Sequence, residues 1–416
     1  NELQDSLNIK PDSVLINASH CHGIVCADVA ERTIKAVTIA FQNMVYVNVG
    51  VGSGYEDRIM ENRRIQLKNG READARRAYS LVPDEDVEKV GLIDAEIGII
   101  KLERQDGRPF AVVYHFSCHP IQGVPNGGNT ADLSGFASTA IETSLGGSVV
   151  ALFIQGCAAD INPISYKSVE NPPNAESLGN LLGLSTVRAI NDIKVKNGVE
   201  LKVTRKILEL PRADLVREIK LLEKRQQDLL NALLPTTLNL KSFIPLLIKY
   251  KLSPEYPLDS IQRYLHEENI GVDHLRRLDR ENRKNLEDYK KNIHAMEELT
   301  RIQVNLGLLK KHHKRNVDSG EKNVKVELMG IKVGDFVLTT FPGELSVETG
   351  MNIKRRAKNK LTYVSGVTNG YIYYTPTAKQ LNNIGGAQED SDCFLAPEWQ
   401  DLYEDKAVEI VNSLKS

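Results

Sequence analysis

The chain has 416 residues, of which 41% are hydrophobic and 26% are charged, a composition typical of soluble globular proteins. Its formal net charge is -2, and acidic and basic residues are mixed along the chain, so we expect neither a nucleic acid partner nor general attraction to anionic membranes. No run reaches the length of about 18 apolar residues that a transmembrane helix requires.

The chain begins at Asn1 without an initiator Met or an apolar signal segment, and we expect further sequence upstream. Its cysteines are odd in number and lack the C-x-x-C spacing of a zinc ribbon, which argues against a disulfide framework. Cys21 and Cys118, which lie beside histidines, are interpreted as packing residues.

Residues 1–205 alternate between strand and helix patterns. DSVLINASH is an apolar run that predicts a strand ending at His20, and AERTIKAVTIAFQNM has helical spacing. Further on, the patterns predict strands in LIDAEIGIIKLE, in FAVVYHFSCHP ending at His119, and in SVVALFIQGCAADINP, with a helix in GFASTAIETSL. Apolar strands that each end in a polar loop predict an α/β core with its site at the carboxyl ends of the strands.

Residues 211–318 have a helical pattern instead, with apolar stripes and oppositely charged pairs in DLVREIKLLEKRQQDLL and HLRRLDRENRKNLEDYKKNIHAMEEL. Between these stretches, residues 231–258 are apolar but broken by prolines. We predict a helical hairpin with an irregular apolar tip, inserted into an α/β domain formed by 1–210 and 319–416. A structural lobe, a dimer contact, and a lid or apolar platform with peripheral membrane contact through 231–258 remain alternative roles, and the oligomeric state is open.

The histidines of this insertion are predicted to lie on the surface; they are His266, His274, His294, His312 and His313. After the insertion the strand pattern returns, and VKVELMGIKVGDFVLTTFPGE predicts a hairpin that ends in a Pro-Gly-Glu loop at Glu344. A strand and loop in LTYVSGVTNGYIYYTPT and a closing helix in PEWQDLYEDKAVEIVNSL complete the pattern.

Candidate site residues lie at the predicted strand ends. His20 and His22 are two residues apart, so on an extended segment they would point to the same side. His119 precedes a proline, and Glu344 follows a turn dipeptide. Imidazole nitrogen and carboxylate oxygen suit zinc, and a catalytic site leaves one position for water. Spacing alone leaves open whether these residues bind a metal or form structural hydrogen bonds.

Motifs in a fixed order resemble the neutral/alkaline ceramidase family, in a catalytic-domain-like branch: INASHCHG, NRR, FSCHP, TADLSGFA, FIQGCAADINP, FPGE and VTNGYIYYTP. The resemblance spans nearly the whole chain outside 211–318. It implies a mixed α/β (α+β) catalytic domain and a zinc amidohydrolase that acts on the N-acyl bond of a small-molecule substrate. The chain ends after its closing helix, so we expect no immunoglobulin-like domain of the kind that follows in ceramidases. The family is often secreted or periplasmic, whereas unpaired cysteines favour a reducing compartment.

The resemblance implies four zinc ligands, which are His20, His119, Glu344 and Tyr374.

It also implies substrate contact or carbonyl polarisation by His22 and a place near the substrate for Arg63. Asp132 and Asp160 lie in motifs that line the pocket of the family, and loop capping through Asx turns is their alternative role.

One departure from the family bears on the mechanism. Ceramidases carry a serine proposed for catalysis where this chain has Asn162. Asparagine cannot act as a nucleophile, so we expect metal-activated water to attack the acyl carbon, with Asn162 orienting water or substrate. The departure leaves the acyl and amine parts of the substrate undetermined. A metal-dependent esterase or other acyl hydrolase, and a non-catalytic metal-binding or ligand-binding relative, are the alternatives.

Overall fold

The computed structural model describes residues 2–75, 82, 84–123, 130–166 and 174–414. By its internal contacts the chain divides into two compact units. The first contains the described residues up to Leu215 and from Leu308 onward, and the second contains Val216–Gly307. The predicted domain boundaries at 211 and 318 stay a prediction.

The helices are α1 (Glu2–Leu7), α2 (Val29–Gln42), α3 (Asp132–Ser144), α4 (Ala175–Asp192), α5 (Val216–Asn231), α6 (Leu240–Leu252), α7 (Ile261–Asn269), α8 (His274–Ser319), α9 (Val347–Arg356), α10 (Ala378–Leu381), α11 (Gln388–Ser391) and α12 (Trp399–Ser413). Short 3-10 turns cover Pro11–Ser13 and Asp84–Asp86.

The strands are β1 (Val47–Tyr55), β2 (Met60–Asn62), β3 (Arg64–Leu67), β4 (Glu72–Asp74), β5 (Val87–Val90), β6 (Glu96–Arg104), β7 (Pro109–Phe116), β8 (Val150–Gln155), β9 (Ile161–Pro163), β10 (Leu201–Pro211), β11 (Asn323–Val333), β12 (Phe336–Thr340), β13 (Glu344–Leu345), β14 (Thr362–Ser365) and β15 (Tyr374–Thr375).

Two four-stranded sheets form the centre of the first unit, in the orders β1-β6-β7-β8 and β10-β11-β12-β14. Strands alternate their side chains between two faces, so each sheet packs in both directions. On β7, Val112 and Tyr114 face a core shared with α3 and α4, whereas Val113 faces the second sheet. The far face of the second sheet packs against α9 and α12. The first unit is therefore a mixed α/β fold in which helices cover two face-to-face sheets, as predicted for the fold class.

A glycine allows the two sheets to approach closely. Gly98 on β6 faces the ring of Tyr363 on β14, and an added Cβ would lie 2.7 Å from that ring. His115 on β7 also points to the second sheet, where its Nε2 lies 2.9 Å from the carbonyl oxygen of Val364. Because these contacts cross between the sheets, they hold the strand ends of both sheets in register with one another.

Parallel pairs determine where the loops of the site emerge. Within largely antiparallel sheets, β7 pairs in parallel with β8, and β12 pairs in parallel with β14. After β7 the chain continues to His119, and after β8 it continues to Asn162. After β12 it continues to Glu344, and after β14 to Tyr374. These four candidate residues therefore follow the carboxyl ends of strands, and their roles stay predictions.

The predicted strand before His20 is wrong. Residues 14–22 contain only an isolated bridge, between Asn17 and Thr368, and Ile16 is exposed. The apolar run is not a strand because loops bond its backbone: the Ile16 N–H donates to Asn369 Oδ1, and the Ala18 N–H donates to the Val367 carbonyl oxygen. The Asn17 side chain donates to Ser365 Oγ and to the Gly366 carbonyl oxygen, and accepts from the Gln155 backbone N–H.

The second unit contains the predicted hairpin. Helices α5 and α8 run antiparallel, with Arg225 paired to Glu298 and Gln226 bonded to Gln303. The tip is not irregular as predicted, because α6 and α7 form there. A capping box between Asn239 and Ser242 begins α6, and apolar burial against α8 offsets the hydrogen bond lost at Pro245.

All five cysteines are free, in agreement with the predicted absence of a disulfide framework. Among the helices that the structure describes, none combines the length and the apolarity needed to cross a membrane.

Replacing Leu338 with Ala tests the packing between the sheets. Leu338 is buried in the layer between them, so the truncation should lower the free energy of unfolding by about 2–5 kcal/mol, as for other buried leucines. Denaturant unfolding followed by circular dichroism measures the change. The matched control, Leu201→Ala, alters an exposed strand residue and should change stability by about 0.5 kcal/mol or less. Equal losses in both variants would contradict the layered core.

Candidate metal centre

Three imidazoles meet in the first unit. The ring nitrogens of His20, His22 and His119 that could bind a metal all lie within 4.8 Å of one another. His22 Nε2 is 3.4 Å from His20 Nε2, and the ring centroids of His20 and His119 are 4.8 Å apart. His119 is buried, His20 is half-buried and His22 is exposed. The cluster is therefore open to solvent on the side of His22.

The carboxylate of Glu344 lies against two of these rings. Its Oε2 is 3.2 Å from His20 Nε2 and 3.1 Å from His119 Nε2. The other oxygen, Oε1, accepts a hydrogen bond of 2.6 Å from the hydroxyl of Tyr371. Glu344 is buried, so one oxygen faces the imidazoles while the other is held in place by Tyr371.

The second nitrogen of His119 shows which ring nitrogen is available to a metal. His119 Nδ1 lies 3.1 Å from the backbone carbonyl oxygen of Ile161, which can only accept a hydrogen bond. Its Nε2 faces the Glu344 carboxylate, which is another acceptor, so either ring nitrogen can carry the proton of a neutral His119. A metal bound at Nε2 would place that proton on Nδ1, where it donates to Ile161. Metal-binding histidines commonly have this arrangement, in which the second nitrogen donates to a carbonyl or carboxylate.

Electrostatics favour a cation at this point. Burial lowers the pKa of His119 to about 4, against the opposing effect of Glu344, so its ring is neutral at neutral pH. Burial by itself would raise the pKa of Glu344, but the contacts with His119 and His20 hold this pKa well below its usual range. A buried carboxylate therefore lies against two imidazoles that can donate to it. A divalent cation at this point would take the place of those protons and pair with the carboxylate, so the donor set fits zinc.

Tyr374 joins this region through the backbone. Strands β13 and β15 pair in parallel, with Tyr374 opposite Glu344. The side chain of Tyr374 is buried, and its hydroxyl lies 3.4 Å from Arg63 Nη2. The assignment of Tyr374 as a metal ligand stays a prediction.

Backbone strain is concentrated around the cluster. His20, Val367 and Tyr373 have φ values of 62°, 47° and 66°, in the left-handed region. Such residues cost about 1–3 kcal/mol each and persist where the surrounding structure holds them. Backbone hydrogen bonds join these segments, from Ala18 to Val367 and from Glu344 to Tyr373. His20 and His22 therefore meet through a constrained loop and not through the extended segment that was predicted.

Arg63 lies in a buried polar network. Its Nη1 donates to Asn162 Oδ1 over 3.1 Å, and its Nε is 2.7 Å from a carboxylate oxygen of Glu389. The ring of Tyr374 lies below the guanidinium, with 5.7 Å between its centroid and Cζ. The predicted residues Arg63, Asn162 and Tyr374 thus lie together, and Asn162 contacts Arg63.

The two predicted aspartates hold loops. Asp160 is buried, and its Oδ1 accepts from the backbone N–H of Val347 at the start of α9, directly after the Glu344 segment. Burial raises the pKa of Asp160, although the charge of Arg64 opposes the shift. Asp132 is also buried and accepts from the backbone N–H groups of Gln122 and Leu133. These contacts agree with loop capping, the alternative role considered for both residues.

Two residues near the cluster had no role in the sequence-based assignment. Tyr371 belongs to the NGYIYYTP motif, but only the contact with Glu344 distinguishes it from its neighbours.

His312 is fully buried, which contradicts the predicted surface position. Its Nε2 lies 2.6 Å from Asp392 Oδ1, and its ring packs against Tyr373 at 4.7 Å. The stretch that predicted this helix ends at Leu299, but α8 continues to Ser319. Its last part, which carries His312, belongs to the first unit.

Structural comparison finds solved structures with a similar fold. A neutral ceramidase from Pseudomonas aeruginosa matches 99% of this chain with a TM-score of 0.59 and 14% sequence identity. A structure described as a ceramidase complexed with C2 matches 100% of this chain with a TM-score of 0.56 and 14% identity. The chain spans 63% and 64% of the lengths of these two proteins. No protein-family model and no curated sequence matches the chain. The fold is therefore of the ceramidase type.

Metal content tests the site. The double variant His20→Ala, His119→Ala should lose bound zinc, because two imidazole donors that face Glu344 are removed. Elemental analysis of the purified proteins measures the metal-to-protein ratio. The control is His294→Ala, which removes an exposed imidazole and should leave the zinc content unchanged. Equal zinc in the double variant and the unaltered protein would refute the site.

Proposed function

We propose that this protein is a zinc-dependent hydrolase that cleaves the N-acyl (amide) bond of a small molecule with an apolar acyl group. The observation that carries the proposal is the arrangement of three imidazoles and one buried carboxylate around a single point in a ceramidase-type fold. An amide has a poor leaving group, so its hydrolysis needs a strong nucleophile, a stabilised oxyanion and a proton donor.

In this proposal His20, His119, Glu344 and Tyr374 hold the metal. Bound zinc supplies Lewis acidity and lowers the pKa of bound water toward about 7. The protein residues keep the donor set in position. Ile161 holds the tautomer of His119, and Tyr371 holds the second oxygen of Glu344. With both partners fixed, Glu344 Oε2 and His119 Nε2 stay directed at the same point.

His22 is the proposed proton donor. It is the exposed member of the cluster, and its Nε2 lies 3.4 Å from that of His20. A histidine at this place reaches the substrate from the solvent side and can transfer a proton to the leaving nitrogen. Arg63 and Asn162 support Tyr374, because the bond between them fixes the guanidinium beside the Tyr374 hydroxyl.

An apolar cavity of about 800 Å³ supports an acyl group as part of the substrate. Apolar side chains form much of its wall, among them Val14, Ile16, Ile34 and Val367. Tyr371 also lines the cavity, and its hydroxyl reaches Glu344. An acyl chain in this cavity would therefore lie beside the residue that positions Glu344. Cavities of this size are typical of small-molecule sites.

Activity measurements test the reaction class. A panel of N-acyl amino acids, N-acyl sphingoid bases and the matching esters is assayed with the purified protein before and after chelation. We expect turnover of the amides, loss of turnover on chelation, and recovery on addition of zinc. Turnover of the esters alone would instead identify an esterase. Zinc binding without turnover of any member would favour a non-catalytic relative.

Replacing His22 with Ala separates proton transfer from metal binding. We expect kcat to fall by about 10²–10⁴, the usual contribution of a general acid or base, while the zinc content stays the same. Elemental analysis and steady-state kinetics on the same preparation measure both quantities. Loss of zinc would make His22 a metal ligand, and an unchanged kcat would remove it from the mechanism. His294→Ala again serves as the control.

A further inference from the structure

The segment around α6 has a charge distribution unlike that of the whole chain. From Leu229 to Pro254 there is no Asp or Glu, and the charged residues are Lys241, Lys249 and Lys251. The net charge of -2 for the chain therefore conceals a basic segment. Peripheral membrane contact through 231–258 is one of the roles that the sequence left open, and this local charge favours it.

Helix α6 is apolar on two sides. Phe243 and Tyr250 are buried in the core of the second unit. Another row of apolar side chains, spaced four residues apart, is exposed to solvent: Leu240 (64%), Ile244 (43%), Ile248 (51%) and Leu252 (81%). These exposed apolar side chains form a second apolar surface outside the buried face of the helix. Such surfaces are typical of sites that bind a protein or a membrane. We call this row, together with the three lysines, the α6 outer face.

A basic cavity lies next to the end of this face. It has a volume of about 300 Å³ and is formed between α6 and α8. Lys251, Arg283 and Lys290 line it, and its only acidic lining residue among those described is Glu287, which pairs with Lys290 over 2.8 Å. The guanidinium of Arg283 lies over the ring of Tyr250 at 4.9 Å. The cavity thus offers more positive than negative charge at the edge of an apolar surface.

We propose that the α6 outer face binds the surface of an anionic phospholipid bilayer. The exposed leucines and isoleucines enter the boundary between headgroups and acyl chains, and the lysines lie at the level of the phosphates. A headgroup phosphate fits the basic cavity beside Leu252. This combination of an apolar row, flanking lysines and absent carboxylates is the pattern of helices that lie in a membrane interface.

A second copy of the chain fits this face less well. In a symmetric dimer the same patch is used twice, so the lysines of one α6 would face those of the other. The segment contains no carboxylate to compensate for them. An anionic bilayer supplies both the apolar layer and the negative charge.

Vesicle binding is independent of the proposed hydrolysis, because it requires neither turnover nor metal. The full chain is sedimented with phosphatidylcholine vesicles that contain or lack phosphatidylserine. We expect binding to the phosphatidylserine vesicles that weakens with added salt. Lys241→Gln, Lys249→Gln and Lys251→Gln should each weaken this binding by about fivefold. Ile244→Ser, Ile248→Ser in one chain should weaken it by about tenfold or more.

The matched control is Leu221→Ser, Met296→Ser, which removes two exposed apolar side chains from α5 and α8 and should leave vesicle binding unchanged. Circular dichroism establishes that each variant is folded. Absence of binding by the unaltered chain, or equal binding by the Ile244/Ile248 variant, would overturn the proposal. A concentration-dependent dimer that the Ile244/Ile248 variant loses, without vesicle binding, would overturn it in favour of self-association. Failure of catalysis with normal vesicle binding would refute only the proposed function.

Discussion

The structure of the site depends on one buried carboxylate. Glu344 Oε2 lies within 3.2 Å of the Nε2 atoms of both His20 and His119, in a place from which water is largely excluded. A buried charge is costly unless it is paired. Most other features of the site serve this pairing: Tyr371 holds the second oxygen, and the Ile161 carbonyl orients the His119 ring. The loop at His20 adopts a left-handed backbone that places its ring beside the carboxylate.

Two layers of sheet bring these groups together. His119 follows a strand of the first sheet, whereas Glu344 follows a strand of the second. Their contact therefore requires that the sheets pack in a definite register, which the close approach of Gly98 to Tyr363 helps to hold. Asp160 adds a further link, because it accepts from the N-terminus of α9 just after the Glu344 segment. The geometry of the site therefore depends on the same packing between the sheets that stabilises the core.

Charge is distributed differently in the two units. In the first, carboxylates and guanidinium groups are buried together, as in the pairing of Arg63 with Glu389 and of Arg64 with Asp390. Burial raises the pKa of Asp390 to about 7, although the charge of Arg64 opposes the shift. In the second unit, α6 exposes lysines without nearby acids in its own segment. The proposed hydrolase chemistry and the proposed lipid contact thus belong to separate units and can be tested separately.

The sequence by itself determined helices α2 and α3, strands β6, β7 and β8, the helical insertion and the strand-end positions of His119 and Glu344. Apolar periodicity and turn residues are local signals, which is why these elements could be predicted. It could not show that the segment before His20 is a loop held by Asn17. The hydrogen bonds of the Asn17 side chain reach residues more than 130 positions away in the chain. Nor could the polar pattern of α8 show that His312 is buried, because burial depends on what packs against a helix and not on its own periodicity. Only the tertiary structure decided which imidazoles meet, that Tyr371 holds Glu344 and that Asp132 and Asp160 cap loops. These are contacts between distant segments, and they arise from the packing of two sheets.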